Sequence, residues 1–423
     1  MKDKKIKILW IVNMVLPELA KHLGVTTSAS GTWMEDLSDK ISQYEGIDLA
    51  VACVYGNEFK TEKVGNITYF LLPGNGKTML FYNKNLEVYW KQIEESFCPD
   101  IVHIHGTEYS HSISYMRNYP DKKYLLTIQG AIGKIAEKSD GELSFKTKLT
   151  NRTMRENLRF NGMIEQKILM KKNIKYEREI IERVKYATGR TDWDKAYIYG
   201  INPKCKYFRA FYNLRAAFYG CDKWDVEKTD GIKIYGSTSC GSPLKGGHII
   251  LKALAIVKEK YPDVKAVFIA PADDNGNLKV TSGYTKYIAS LIDELGLKDN
   301  LKFYNRLNTG EVIETMNSCR VCVIPSAMEN ASATLRESMD LGVPSVAAYR
   351  GGMMDLITSG INGFHYDYGE YETLAQRIIE LLDSKELSVS FSENAKKTAA
   401  KWHDREKNIS DMINIYLEIM EEN

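Results

Sequence analysis

The sequence contains no apolar run near the ~18 residues that a membrane-spanning helix requires, so no such helix is expected in its 423 residues. It also has little charge of one sign. A formal net charge of +2 gives no bulk field that would point to nucleic acid or to acidic substrates. The seven cysteines (Cys53, Cys98, Cys205, Cys221, Cys240, Cys319 and Cys322) are scattered and odd in number, which argues for reduced thiols in the cytoplasm over a disulfide framework. Cys319-x2-Cys322 has zinc-like spacing but no second pair beside it. Cys322 falls in the apolar run Val321-Cys322-Val323-Ile324, where core packing is the expected role. Neither an internal repeat nor a low-complexity segment interrupts the chain.

The basic start, Lys2 to Lys7, followed by Ile8–Leu16, has the outline of a secretory leader. Asn13 and Pro17 break it, and no small-residue cleavage site follows, so a buried first strand is the expected reading.

What is present is an alternation of short apolar runs with amphipathic stretches, the pattern of parallel sheets covered by helices. Strands are expected at 7–13, 48–55, 101–105, 123–128 and 186–189, and a second series at 232–236, 266–270, 301–304, 321–325 and 345–348. Helices are expected at 31–44, 247–260, 284–295 and 334–341. This predicts two doubly wound α/β units in tandem, divided near 213–228. Residues 131–185 stand apart as a long helical stretch with 14 Lys/Arg against 8 Asp/Glu. That stretch is either a solvated face or a surface for anionic lipid headgroups or a diphosphate-bearing acceptor. No nucleic-acid module is recognisable, so nucleic acid is not expected as a partner.

Two constellations carry chemistry. In the first, a strand ends at Pro325, a small-residue loop carries Glu329, and a helix follows with Glu337 about one turn inside. Ligands of open α/β sheets bind at the carboxyl ends of strands, and helix N-termini favour anions. A carboxylate there can accept hydrogen bonds from a ribose diol, the role read for Glu337, while Glu329 is placed for sugar hydroxyls. In the second, Tyr235-Gly236-Ser237 leads into a Gly-rich loop, Pro243-Leu244-Lys245-Gly246-Gly247. Its backbone can approach a diphosphate, and Lys245 can neutralise the charge that develops on it.

The order Glu329-x7-Glu337, Gly342-Val343-Pro344, Gly351-Gly352 and Gly360-Ile361-Asn362-Gly363 closely resembles the signature of retaining GT-B glycosyltransferases of family four, the "glycosyl transferases group 1" type. The resemblance implies two Rossmann-like domains facing a cleft: residues 1–215 on the acceptor side, joined by a C-terminal helix at about 398–423 that packs back on them, and residues 216–397 on the nucleotide-sugar side. It assigns ribose contact to Glu337, donor-sugar contact to Glu329, and donor binding to the backbone of Asn330, Ala331, Ser332 and Ala333. The Lys245 loop is similar to the family's "GR…KG" element, but Ser237 stands where the family has Arg. Ser30-Gly31 resembles the first glycine loop, with Gly31 as a donor-side residue and Ser30 open to a plain N-cap role.

Asp100-Ile101-Val102-His103-Ile104-His105-Gly106 is similar to the family's "HxHG" pattern, and His105, nearer the strand end, is a cleft candidate. His103 and His105 share a face but lack a third ligand at metal-binding spacing, so no metal is expected. Gln129 stands where members often have His and is read with His105 as positioning the donor sugar. Gly189-Arg190-Thr191-Asp192-Trp193-Asp194 resembles a "GRTxWD" element of bacterial polysaccharide-type members. There Thr191 and Asp192 either cap a helix, or Arg190 or Asp192 faces the cleft.

The resemblance implies a cytoplasmic, metal-independent retaining transferase with no cofactor. It would use a UDP-sugar by preference and a glycan or undecaprenyl-diphosphate-linked acceptor, and would work in the cytoplasm or against the inner face of the cytoplasmic membrane. Two other classes stay open: a GT-B-shaped sugar-nucleotide epimerase, and a non-catalytic two-lobed binding protein.

Overall fold

The computed structural model describes residues 5–25 and 32–422. The chain divides into two compact units. The first holds the described residues up to 133, residues 172–216 and residues 402–422; the second holds residues 134–171 and 217–401.

The first unit is built on an eight-stranded sheet of β1 (Ile6–Ile11), β2 (Ile47–Val54), β3 (Lys60–Val64), β4 (Ile67–Leu72), β5 (Ile101–His105), β6 (Lys123–Thr127), β7 (Tyr186–Gly189) and β8 (Lys206–Arg209). Their spatial order is β3-β4-β2-β1-β5-β6-β7-β8, all parallel except for β3, which runs antiparallel to β4. Successive side chains of a strand point to opposite faces. Ile8, Trp10 and Val12 therefore enter one core, and Leu9 and Ile11 enter the other. A strand buried on both faces needs an unbroken apolar run, which is why 8–16 mimics a leader. The helix Arg405–Glu421 closes one face with Ile409, Met412, Ile415, Tyr416 and Ile419. There the Trp10 indole N–H donates to the Tyr416 hydroxyl at 2.8 Å, and that hydroxyl lies 2.6 Å from His103 Nδ1.

The second unit carries β9 (Lys233–Ser237), β10 (Lys265–Ile269), β11 (Leu301–Tyr304), β12 (Val321–Ile324), β13 (Ser345–Ala348) and β14 (Phe364–Tyr366). The order is β11-β10-β9-β12-β13-β14 and every pairing is parallel. The chain winds outward from β9 to β11, then returns to the middle at β12 and winds the other way. The reversal between β9 and β12 is a topological switch point, where loops leave adjacent strand ends in opposite directions and open a crevice.

Residues 134–171, expected from the sequence within the 1–215 domain, instead pack as part of the second unit. The Gly141 carbonyl accepts a hydrogen bond from the Tyr368 hydroxyl at 2.9 Å, and the Glu156 carboxylate accepts one from the Gly283 amide at 2.8 Å. Gly141 has φ +61°, and a Cβ there would stand 2.3 Å from the Pro243 carbonyl oxygen, so only glycine fits this seam. These anchors lie more than a hundred residues away in sequence, beyond the reach of any local pattern.

Candidate active site

The hollow of the second unit sits at its switch point, walled by the ends of β9 and β12 and the loops that follow them. It encloses about 240 Å³, including space open to solvent. Gly236 must be glycine, because a Cβ would meet the Phe268 ring at 2.1 Å. Ser237 adopts φ +49°, uncommon for a residue with a side chain, and its hydroxyl lies 2.9 Å from that of Thr334.

The chain then makes two short 3-10 turns, Ser239–Gly241 and Pro243–Lys245, and enters the helix Gly247–Lys260 through Gly246 at φ +74°. The loop after β12 is clasped to this one. The Ala327 amide donates to the Leu244 carbonyl at 2.8 Å, and Gly246 sits so close to Pro325 that a Cβ would stand 1.8 Å from the Pro325 carbonyl oxygen.

This clasp brings Lys245 and Glu329 together. Lys245 Nζ pairs with Glu329 Oε1, which also accepts from the Ser326 hydroxyl at 3.0 Å. The Lys245 side chain keeps about a third of its surface exposed (36%) against 15% for Glu329, so the cation is the more accessible member. Ser332 caps the helix Ala333–Leu341, its hydroxyl accepting from the Leu335 amide at 3.4 Å. Ser237, Lys245, Glu329 and Ser332 all line the hollow. Two helices start beside it, and the unsatisfied amides of a helix start carry partial positive charge suited to an anion. One lysine paired with one glutamate, two helix starts and a ring of hydroxyls form a polar hollow with little net charge of its own.

Several other sequence-derived residues lie elsewhere. Glu337 is on the helix Ala333–Leu341 but is buried, and its charge bears on Tyr235 and Cys322; it does not line the hollow. Asn330 is buried, Ala331 half-buried and Ala333 exposed around the helix start. Gly31 lies outside the described residues.

His105 belongs to the first unit, and it is not at an open edge. It is 1% exposed, with its ring 4.4 Å from that of Trp10 and 3.9 Å from that of His103. Burial pushes its imidazole down to about 3, so the ring is neutral near pH 7. Trp10 on the neighbouring strand covers it, a contact that spacing along the chain cannot reveal. Gln129, at the end of β6, is half-buried, and its carbonyl accepts from Arg190 at 3.4 Å. Arg190 is buried and stacks over Tyr212, 4.6 Å from its ring centre. Thr191 caps the helix Asp192–Ile201 with Asp194 as its reciprocal partner, whereas Asp192 pairs with Arg209. Cys319 and Cys322 are buried thiols, and burial pushes Cys319 up to about 12. Among the described residues no three His, Cys, Asp or Glu side chains are grouped to hold a metal ion.

Sequence reasoning passed over Ser326 and Thr334 as site residues, although hydroxyls flanking a strand-end carboxylate were a readable signal. It also passed over Glu108. This carboxylate follows the "HxHG" run and accepts from Asn13 Nδ2 at 3.1 Å, at the switch point between β1 and β5 in the first unit. Burial pushes it up to about 7.

Together these features define an α/β protein of the GT-B class, and known structures share that fold. Sucrose-phosphate synthase from Thermosynechococcus elongatus superposes with a TM-score of 0.73 at 13% identity over 98% of this chain and 99% of that one. Anabaena Alr3699/HepE in complex with UDP-glucose superposes with a TM-score of 0.64 at 17% identity over 98% and 100%. Residues 222–398 match the family described as "Glycosyl transferases group 1".

Curated relatives include the D-inositol 3-phosphate glycosyltransferase of Corynebacterium urealyticum, 26% identical over 43% of this chain and 42% of that protein. Spore coat protein SA of Bacillus subtilis is 27% identical over 41% and 46%. The chain thus spans less than half the length of these relatives. No helix among the described residues is long and apolar enough to cross a membrane.

Proposed function

We propose that this protein is a retaining glycosyltransferase that moves a sugar from a nucleotide diphosphate donor, UDP favoured, to a glycan or undecaprenyl-diphosphate-linked acceptor in bacterial surface polysaccharide synthesis. The observation that carries the reading is the clasp of the two strand-end loops, which sets Lys245 beside Glu329 at the switch point. The UDP and UDP-glucose complexes of Alr3699/HepE support the donor class.

The donor diphosphate would lie against the amides of the Gly246–Gly247 helix start and the Lys245 ammonium. Glu329 would accept hydrogen bonds from sugar hydroxyls, and Glu337 would accept them from the ribose diol. The bond from the sugar's anomeric carbon to the diphosphate oxygen breaks as the acceptor oxygen attacks from the same face. The acceptor's proton passes to the departing phosphate, and the nucleoside diphosphate leaves. Lys245 and the helix amides stabilise the charge on that phosphate, and we propose that transfer proceeds without a metal. We place the protein in the cytoplasm, at the inner face of the membrane.

The test is a thermal-shift screen of UDP, GDP and ADP, then of sugar nucleotides of the base that stabilises the protein, since a ligand that binds only the folded state raises the melting point. The same sugar nucleotide incubated alone, with EDTA present, should give slow hydrolysis and no epimer. An epimer in that incubation would establish the epimerase reading, and no shift with any nucleotide would end the transferase one.

A further inference from the structure

The helical stretch packed on the second unit presents an unusual surface. Its short helices Phe145–Thr150 and Met154–Arg159 run into the long helix Met163–Arg183. Large apolar side chains stand in water along it: Met154 is 82% exposed, Leu158 80%, Phe160 76% and Phe145 65%. Leu149 and Ile168 are also exposed. Glu156 is the buried anchor of Met154–Arg159, fixed to the Gly283 amide. At 100° per residue, Met154 and Leu158, two positions to either side, project from the opposite face. Phe145 and Leu149 are likewise neighbours at i, i+4.

The charge around them is one-sided. Residues 145–171 hold seven Lys/Arg against two acids. Both acids are engaged within the fold, Glu156 as above and Glu165 by Arg152 at 2.7 Å. Lys148 and Lys167 are drawn inward onto the buried Asp140, at 2.5 and 2.8 Å. Lys146, Arg155, Arg159 and Lys171 are exposed and have no ion-pair partner among the described residues.

A monomeric surface rarely presents large apolar side chains in such a cluster unless something covers them. A second copy of the chain would bring these cations against their own kind, whereas an anionic bilayer offers hydrocarbon for the apolar side chains and phosphate for the cations. We infer that Phe145, Met154, Leu158 and Phe160 insert into the interface of an anionic membrane, with Lys146, Arg155, Arg159 and Lys171 on its headgroups. The inference gives the membrane residence proposed above its contact surface, and it rests on that residence and not on the transfer chemistry.

The experiment is co-sedimentation of the full chain with vesicles of phosphatidylglycerol and phosphatidylcholine, or of phosphatidylcholine alone. The unaltered protein should pellet with the anionic vesicles, less so as salt rises. The variant M154S/L158S/F160S should partition at least about tenfold less, and R155E/R159E roughly tenfold less. All these side chains are exposed, so melting curves should stay unchanged. E329Q, which disturbs the donor site, should pellet like the unaltered protein, separating failure of this inference from failure of the transferase reading. Unaltered protein left in the supernatant, or variants that pellet equally, would overturn the inference. So would a dimer in sedimentation velocity that M154S/L158S/F160S dissolves, which would assign the face to a second copy.

Discussion

Lys245 Nζ is paired with Glu329 Oε1 across the two loops that follow the carboxyl ends of β9 and β12. The pair holds the lysine at the rim of the hollow, and under the proposed reading a donor diphosphate would compete with the carboxylate for it. Replacing Lys245 by alanine should lower turnover about 10²-fold, by analogy with removal of one transition-state donor, while Glu329→Gln should lower turnover and leave affinity for the bare nucleotide diphosphate equal or higher. Steady-state transfer or donor hydrolysis, read beside nucleotide titration, checks both. An unchanged rate in Lys245→Ala would remove it from the chemistry.

Glu337 is 8% exposed and is not among the residues that line the hollow. If it holds the ribose, Glu337→Gln should weaken nucleotide binding by about 10- to 100-fold, the scale of a charge-assisted hydrogen bond, with little change in melting temperature. Calorimetric titration with the nucleotide diphosphate decides this; unchanged affinity would leave Glu337 a buried structural carboxylate.

Gly246 cannot carry a side chain. Its φ of +74° and the Pro325 carbonyl, 1.8 Å from the Cβ position, act together. Gly246→Ala should cost roughly 2–4 kcal/mol of stability and displace Lys245 from Glu329. Denaturant melts and nucleotide titration should both show losses. A variant as stable and as tight-binding as the parent would mean that the loop clasp is not required.

Glu108 gives a pH signature. Its carboxyl is raised by burial to about 7 in the folded protein, well above the value of an exposed carboxylate. Between about pH 4.5 and 7 the folded state therefore binds more protons at this site than the unfolded state, and the contribution of Glu108 to stability falls as pH rises through that window. Glu108→Gln should remove this slope and gain roughly 1–2 kcal/mol at pH 8 relative to the parent. Chemical denaturation at pH 5 and pH 8 reads the difference, and parallel profiles for the two proteins would contradict it.

Most of the doubly wound core was legible because a strand buried on both faces must be apolar throughout. Strands such as β1, β2, β5 and β12 announce themselves in this way. The unread strands β3, β8 and β14 are edges, short or polar, and carry no such run. β4 has a readable run, Ile67-Thr68-Tyr69-Phe70-Leu71-Leu72, that is absent from the expected strands. The loops bearing Lys245 and Glu329 were legible for the same local reason: glycine, small residues and a carboxylate at a strand end.

By itself the sequence determined the alternation of strand and helix, the two strand-end loops and the glycines that let them approach, because each depends on residues close together along the chain. Tertiary structure alone decided that Lys245 and Glu329 meet, that Trp10 covers His105, that Glu337 is buried, and that residues 134–171 leave the first unit for the second. Each of those outcomes rests on a contact between residues far apart in sequence, where packing volume and hydrogen-bond geometry, not local propensity, set the result.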